Sequence, residues 1–261
     1  MSDADVTITA LRSTHDELAT VVRELSDDEL AGPSAATEWT VADVLSHLGS
    51  GAEIARATLR AALDGEPNPG QSFNLSVWDR WNALGGREQA EGFLASNEEL
   101  TALYESLPAQ TRRDLRIDMG FLPAPIDVAA AAGLRLNELA LHSWDVRAGL
   151  DETATLEPGA VAALLPGPAL ILGWIGKPEH AKGPADVVVT TTGPDSTFTL
   201  RLTESVSLHD SSDAGDATLN LPGEAWLRLI SGRLGPRYTP AGVTADGSVD
   251  LDTLRAVFPG F

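Results

Sequence analysis

The sequence predicts an α+β protein of two domains, a helical bundle followed by a smaller domain that mixes strands and helices. Three observations predict this class. Apolar residues recur at helical spacing in the first half, and short β-branched runs separated by glycine, proline and aspartate follow after residue 151. The 261 residues, of which 43% are hydrophobic, suffice for two modest cores. We therefore expect domains at residues 1–152 and 153–261.

Four helices are predicted in the first domain. The first lies in VTITALRSTHDELATVVRELSDDEL, where leucine and valine recur at near-helical spacing with charges on the opposite side. The second begins at Thr40, because Thr40 and Asp43 have the spacing of an N-terminal capping box. The third spans residues 87–107, and the fourth spans residues 127–149, where the final glycine favours a C-terminal stop. Helices of this length predict a four-helix bundle.

The segment between the second and third helices, GQSFNLSVWDRWNALGG, is rich in aromatic residues and is predicted to be a connection. Asn74 and Asp79 lie in it. Polar side chains of such a loop either form the entrance to a pocket or are simply solvated. We keep both residues as candidate cofactor-binding residues.

The second domain is predicted to combine a strand meander with short helices. A helix-like stretch, PGAVAALLPGPALILGWIG, leads into the three β-branched runs ADVVVTTTG, STFTLRLTES and SVSLHDSS. EAWLRLISGRLG and LDTLRAVFPGF return to helical spacing, and GVTADGSVD between them predicts a strand and a turn.

The charge of the chain excludes some partners. With 38 acidic and 18 basic residues the formal net charge is -20, which would repel nucleic-acid phosphates and anionic membranes. No stretch reaches the roughly 18 uncharged apolar residues of a membrane span. The N-terminal MSDADVTITALRS lacks the basic leader and apolar core of a secretion signal, so we expect a cytoplasmic protein, either a monomer or a homodimer.

The chain contains no cysteine. This excludes disulfides, cysteine-ligated zinc and a nucleophilic thiol of the protein itself. Any thiol chemistry must therefore use a thiol from outside.

The segment NELALHSWD places several polar side chains on one face of the fourth helix. At about 100° per residue, with Glu138 as origin, His142 falls at about 40°, Asp145 near -20° and Arg135 near 60°. A carboxylate and an imidazole at i and i+4 project from successive turns and can bind one metal ion.

A third ligand is available on the second helix. His47 lies in VLSHLGSG, among apolar residues and before small ones that leave space, so that the histidine can join Glu138 and His142 in a site with an open position. The structural alternative is equally weighted, because Arg135 or Arg147 could neutralise Glu138 as an ion pair. A single histidine on an apolar face is also more often a hydrogen-bonded core residue than a ligand.

Two segments resemble a known family. EWTVADVLSHLGS and LNELALHSWDVRAGL are similar to the signature segments of the mycothiol-dependent maleylpyruvate isomerase family, a branch of the DinB-like metal-binding four-helix bundles. The resemblance implies an N-terminal DinB-like bundle and a C-terminal sterol-carrier-like α+β domain. DATLNLPGEAWLRLISGR is similar to the usual end of that domain.

The resemblance also implies a set of site residues. It places a divalent metal, generally zinc, on His47, Glu138 and His142, with mycothiol as the cosubstrate. It implicates an arginine of the C-terminal domain, for which Arg233 is the nearest match, although Arg228 and Arg237 lie close by. His-His-carboxylate sites also suit nickel, iron and manganese.

The predicted function is that of a metal-dependent thiol transferase or isomerase. A metal lowers the pKa of a thiol from about 8.5 and makes it a nucleophilic thiolate, which then attacks a small electrophilic substrate. Arg233 would hold a substrate carboxylate or stabilise enolate charge. The alternatives are a metal-dependent hydrolase at the same site, or a non-catalytic module in which the second domain binds an apolar ligand.

Further residues carry more than one interpretation. Asp145 either orients a metal-binding histidine or binds the cosubstrate, or else it forms an ion pair with a nearby arginine. Trp39 and Trp144 either line a pocket or serve packing. His15, His180 and His209 show no partner pattern and are expected to be structural or exposed.

Overall fold

The computed structural model describes residues 3–165, 167, 169–210 and 215–260. The chain falls into two compact units, Met1–Ala163 and Leu164–Phe261. The first is helical and the second is built around a five-stranded sheet, which confirms the predicted α+β class. The predicted domain limit, between residues 152 and 153, lies inside the first unit.

Between Asp3 and Leu150, the described part of the first unit before residue 151, the chain forms seven helices. Four of them are long and correspond to the four predicted helices. The helices are α1 Asp3–Glu24, α2 Asp27–Leu30, α3 Val41–Asp64, α4 Gln71–Asn82, α5 Gly86–Ser106, α6 Ala109–Asp114 and α7 Val128–Leu150. A short antiparallel pair, β1 Arg116–Ile117 and β2 Ile126–Asp127, precedes α7.

The four long helices pack into a bundle. Helix α3 packs against α5 and α7, and α1 packs against the same two helices. Their facing side chains form a core that water does not reach. Its fully buried members include Leu11, Leu18, Leu45, Leu48, Phe93, Leu100, Leu136 and Leu139.

Local capping fixes where α3 and α7 begin. Thr40 accepts a hydrogen bond from the backbone N–H of Asp43, and the Asp43 carboxylate accepts one from the backbone N–H of Thr40, which is the predicted capping box. The Asp127 carboxylate accepts from the backbone N–H of Ala130 at the start of α7. Each such cap contributes about 1 kcal/mol. The two helices that carry the candidate ligands thus have defined starts.

Gly149 does not end α7, contrary to the prediction. The helix continues to Leu150, and a Cβ atom at position 149 would lie 2.7 Å from the carbonyl oxygen of Pro33 and 3.0 Å from Cα of Ser34. The glycine therefore permits the close approach of the 33–34 backbone to α7. This contact matters because Trp39 follows in the same loop.

The prediction of a connection at residues 70–86 is wrong, because most of it forms α4. Phe73, Val77 and Trp81 recur at i, i+4 and i+8, the spacing of one helix face. Val77 and Trp81 are buried, and the Trp81 indole N–H donates to the Glu53 carboxylate at 3.0 Å. An apolar face against α3 thus makes the segment helical.

The first predicted helix also divides in two. Ser26 interrupts it and caps the single-turn helix α2, forming a capping box with Glu29. The acidic SDDEL segment therefore forms a separate helical turn instead of continuing the first helix.

The second unit is organised by a five-stranded sheet. The order is β5-β4-β3-β6-β7, antiparallel except for the parallel pair β3–β6. The first three strands form the predicted meander. The strands are β3 Ala185–Thr192, β4 Ser196–Leu202, β5 Val206–Asp210, β6 Ala217–Pro222 and β7 Thr244–Gly247.

Strand β6 was not predicted, although its sequence alternates. Ala217, Leu219 and Leu221 are buried while Thr218 and Asn220 are exposed, the period of two that a half-buried strand requires. The predictions from sequence contain no element in this segment, and the next predicted helix begins at Glu224.

Short helices complete the chain. They are α8 Pro158–Leu164, α9 Ala169–Ile175, α10 Gly223–Ile230 and α11 Leu251–Val257, with 3₁₀ turns at Pro178–His180 and Pro236–Tyr238. The predicted helix-like stretch at 158–176 thus contains two helices. Within the described part of the chain, no helix combines the length and apolar character needed to cross a bilayer.

Candidate metal centre

Helices α3 and α7 bring His47, Glu138 and His142 together. Oε2 of Glu138 lies 3.1 Å from Nε2 of His47 and 3.8 Å from Nε2 of His142. One nitrogen or oxygen from each residue lies within 4.8 Å of the other two. The two imidazole rings meet edge to face, with centroids 4.7 Å apart. Three potential ligand atoms therefore lie close together, and the i and i+4 spacing accounts for the pair Glu138 and His142.

The order of the residues explains the convergence. Glu138 and His142 are one turn apart on α7, so their side chains project side by side. His47 reaches them because α3 packs against α7. The Glu138 and His47 side chains remain 47% and 37% exposed, so the cluster is open to a further ligand.

Asp145 fixes the tautomer of His142. Its Oδ2 lies 2.8 Å from Nδ1 of His142, and the aspartate is fully buried. An ionised carboxylate can only accept, so Nδ1 carries the proton and donates it. In the neutral ring, Nε2 then presents its lone pair to the cluster, which is the arrangement typical of a metal-binding histidine.

The electrostatics of the cluster keep its carboxylate ionised. Partial burial alone would raise the pKa of Glu138. The hydrogen bond from His47, the positive charges that His142 and His47 carry when protonated at low pH, and the charge of Arg135 outweigh burial and lower that pKa to about 2. One carboxylate and two imidazoles form a donor set that suits a divalent metal such as zinc. The residues present thus fit such an ion.

Trp39 lies beside the two histidines. Its ring stacks on His142 at 6.0 Å with planes 17° apart, and its centroid is 5.3 Å from that of His47. The side chain is 38% exposed. The preceding residue, Glu38, has a φ of 66°, a left-handed conformation that is strained for a residue with a side chain. The strained turn delivers an aromatic ring to the edge of the cluster.

The segment that contains the cluster matches the model of a known protein family. The family model of the mycothiol maleylpyruvate isomerase N-terminal domain matches residues 11–147, just over half of the chain. The matched segment extends from α1 into α7 and includes all three candidate ligands. The chain belongs to this family.

Two curated relatives match part of the chain. Two uncharacterized proteins of Mycobacterium tuberculosis, one from each of two strains, are 21% identical over 146 residues. These alignments span 55% of this chain and 66% of each relative, slightly less than two thirds of their length.

The similarity to solved structures covers nearly the whole chain. A crystal structure of a mycothiol-dependent maleylpyruvate isomerase matches with a TM-score of 0.64 and 15% identity over 94% of both chains. A crystal structure of a histidine-to-alanine mutant of such an isomerase matches with the same values. At this identity the likeness shows a shared fold.

Trp144 is buried in the interior of the first unit. The residue is 1% exposed, and its indole N–H donates to the carbonyl oxygen of Ala154 at 2.8 Å. This hydrogen bond anchors the connection that follows α7. Of the two interpretations of this tryptophan, the arrangement favours packing.

Asn74 and Asp79 lie on α4 rather than in a loop. They are five positions apart in the sequence, which places them about 140° apart around the helix axis. They therefore do not share a face, and one pocket wall cannot present both. Asp79 is exposed, and Asn74 is partly buried.

The arginines of the second unit differ in their surroundings. Arg228 is 2% exposed and donates through Nε and Nη2 to the two carboxylate oxygens of Glu224, each at 2.7 Å. This buried ion pair gives it a structural role. Arg233 is partly buried and donates from Nη1 to the carbonyl oxygen of Ser231 at 3.2 Å. Its assignment as the family's arginine stays a prediction.

From the sequence, Arg135 was considered only as an ion-pair partner of Glu138. Its hydrogen bonds to the helices around the site were not predicted. The guanidinium is buried and bonds to groups on α3 and α5. Its position near 60° on the helix wheel placed it on the ligand face, and that was the available signal.

Proposed function

We propose that the protein is an enzyme that uses a divalent metal and a low-molecular-weight thiol, mycothiol, to isomerise or substitute a small electrophilic substrate. The observation that carries the proposal is the cluster of two imidazole nitrogens and one carboxylate within 4.8 Å, in a chain of this family. The absence of cysteine supports it, because the protein offers no thiol of its own to compete with the cosubstrate.

His47, Glu138 and His142 would hold the metal, with zinc favoured by this donor set. When bound there, such an ion supplies Lewis acidity that lowers the pKa of an external thiol. Glu138 provides the negative charge that binds the ion, since its low pKa keeps it ionised at neutral pH. Three protein ligands leave at least one position for the thiol.

The surrounding residues prepare the ligands. Asp145 holds the proton on Nδ1 of His142, so that Nε2 stays available. Trp39 covers one side of the imidazoles and limits the access of water there. In the proposal Trp39 also contacts the cosubstrate, and Arg233 binds a carboxylate of the substrate.

The first experiment measures the metal content of purified protein by plasma mass spectrometry after mild dialysis. Wild type should retain stoichiometric zinc, and His47→Ala should lose it. His180→Ala is the matched control, because His180 is exposed and lies in the second unit. Absence of metal from wild type after reconstitution with zinc would refute the proposal.

A turnover assay then separates the thiol-dependent reaction from hydrolysis. Maleylpyruvate and other small electrophiles are offered to the zinc-loaded protein with and without mycothiol. Turnover that requires the thiol supports the isomerase or transferase. Equal turnover without it would assign the site to a hydrolase.

A further inference from the structure

Arg135 joins the two helices that carry the candidate ligands. It is 7% exposed, and its Nη2 donates to the carbonyl oxygen of Leu48 at 2.7 Å and to Oδ1 of Asn97 at 3.0 Å. Leu48 directly follows His47 on α3, and Arg135 precedes Glu138 by one turn on α7. One guanidinium therefore connects α3, α5 and α7 at the level of the metal ligands.

A directed chain of hydrogen bonds continues from Arg135 to the surface. An arginine can only donate, so the Asn97 oxygen faces Arg135 and its amide nitrogen donates to Nδ1 of His15 at 2.9 Å. Nδ1 of His15 is then an acceptor, and the ring proton sits on Nε2, 3.2 Å from Oε2 of Glu98. Arg12 donates to both oxygens of Glu98, at 2.5 and 3.1 Å.

This direction excludes a second metal centre at that end of the chain. His15, Asp16 and Glu98 offer ligand atoms within 4.8 Å of one another. Both ring nitrogens of His15 are engaged, however, and the Glu98 carboxylate is neutralised by Arg12. Burial lowers the pKa of His15, which keeps its ring neutral and the chain intact. The cluster therefore supports Asn97 instead of holding an ion.

The space around Arg135 is matched to its guanidinium. A Cβ atom added at Gly51 would lie 2.9 Å from Nη1 of Arg135. Gly51 stands one turn after His47 on the same helix. Burial lowers the pKa of Arg135 to about 10, against the opposing charge of Glu138, so the group stays charged at neutral pH. A charged, planar fork thus fills a gap that a glycine leaves open.

We propose that Arg135 is a positioning residue for the metal centre. By holding the Leu48 carbonyl it fixes the turn of α3 that carries His47 relative to the turn of α7 that carries Glu138. The chain through Asn97 and His15 holds Arg135 in turn. The inference rests on the proposed function, because it assumes that the ligand cluster binds a divalent metal. Arg135 touches neither substrate nor metal in this role.

The decisive variant is Arg135→Lys. Lysine retains the positive charge, but its side chain is one bond shorter and its ammonium is not planar, so it cannot reach the Leu48 carbonyl and the Asn97 oxygen from the position that Nη2 of Arg135 occupies. Loss of a residue that orients metal ligands typically weakens metal binding about 10- to 100-fold. We expect a loss in this range, and an altered visible spectrum when cobalt replaces zinc.

Arg147→Lys is the matched control. Arg147 lies on the same helix and also donates to a backbone carbonyl, that of Thr155, at 2.8 Å, but it pairs with Glu17 instead of contacting α3. Both lysine variants should lose some thermal stability. Only Arg135→Lys should change the metal affinity and the cobalt spectrum.

Gly51→Ala provides a second variant if Arg135→Lys does not fold. Alanine favours the helix more than glycine does, which offsets part of the cost of displacing the guanidinium, so folding should be retained while the added methyl moves Arg135. A loss of metal affinity without a loss of stability would separate positioning from a purely structural role. We expect Gly51→Ala to lower the metal affinity while its melting temperature stays close to that of wild type.

The test is a zinc titration of the full chain against a chromophoric chelator, repeated with cobalt alone to record the spectrum. Weaker zinc binding in Arg135→Lys or Gly51→Ala, with Arg147→Lys unchanged, supports the inference. Wild-type affinity and spectrum in folded Arg135→Lys and Gly51→Ala would overturn it while leaving the metal site standing. Failure of wild type itself to bind metal would overturn the proposed function and this inference with it.

Discussion

The described part of the bundle contains two clusters of histidine and carboxylate, and they differ in where the protons of His142 and of His15 point. In the first, Asp145 accepts the Nδ1 proton of His142, so Nε2 presents its lone pair to Glu138 and His47. In the second, the His15 proton sits on Nε2 and points at Glu98, which Arg12 already neutralises. Ligand-type residues at ligand distance are therefore insufficient to define a metal site, and the direction of the hydrogen bonds around them distinguishes the two clusters.

The largest effect should come from removing the carboxylate of the first cluster. Glu138→Gln replaces a charged ligand by a neutral amide, so we expect loss of stoichiometric zinc and of thiol-dependent turnover together. The helix should still form, because the side chain is half exposed. Metal content, activity and circular dichroism check this.

The corresponding change in the second cluster is Glu98→Gln, which should leave the zinc content at the wild-type level. Stoichiometric zinc retained by Glu138→Gln would contradict the ligand assignment. Zinc lost from Glu98→Gln would show that the difference between the clusters has been assigned wrongly.

A smaller effect should follow from reversing the proton direction at His142. In Asp145→Asn an amide can donate to Nδ1, which drives the ring proton to Nε2 and occupies the metal-facing lone pair. Affinity for zinc should fall about 10- to 100-fold, measured by chelator competition. Asp127→Asn, an equivalent change at the N-cap of the same helix, should bind zinc normally because asparagine also caps helices. Equal affinities in the two variants would remove Asp145 from the site.

Part of the candidate site could be predicted from the sequence. The ligand face of α7 follows from residue spacing, since Glu138, His142 and Asp145 are placed on one side by helix geometry alone. His47 was predicted from the small residues that follow it and from the family resemblance. Helix α4 could have been predicted from sequence, because Phe73, Val77 and Trp81 recur at helical spacing. Strand β6 could have been predicted as well, because apolar and polar residues alternate after Ala217.

Other features depend on how distant segments meet, and sequence spacing does not contain them. The bond from Arg135 to Leu48 requires the packing of α7 on α3, and the one to Asn97 requires α5. Gly149 was predicted as a helix stop because glycine is common at helix ends. Its contact with the Pro33 carbonyl cannot be predicted from the local sequence. Tertiary packing supplied these roles and the proton direction at His15, whose partners Asn97 and Glu98 lie on α5.

A modest loss of stability should follow from removing the cation of the second cluster. Arg12→Met leaves Glu98 and Glu105 without the arginine that donates to both. Partly exposed networks of this kind are worth about 1 kcal/mol, which corresponds to a melting temperature lower by about 2–4 °C. Differential scanning calorimetry checks this. Arg116→Met, at an exposed arginine of the same unit, is the control and should unfold as wild type does.

The Arg12→Met protein also tests the comparison itself. Zinc content should not rise, because His15 still donates from Nε2 and still accepts on Nδ1. A second zinc per chain in this variant would mean that Arg12, rather than the proton direction at His15, keeps metal out of the second cluster.

The smallest effect should be a pH dependence of stability that belongs to His15. Burial lowers its pKa below the ordinary 6.5, outweighing Glu98 and Asp16, which raise it, while Arg12 and Arg23 lower it further. The unfolded chain therefore binds the proton more readily, so this stability is fully present above pH 6.5 and is lost as the pH falls toward the folded-state pKa. Thermal unfolding of metal-free protein across this window should show the decline. His15→Gln keeps an acceptor and a donor without a titrating group and should flatten it, and an equal slope in both proteins would assign the decline to other groups.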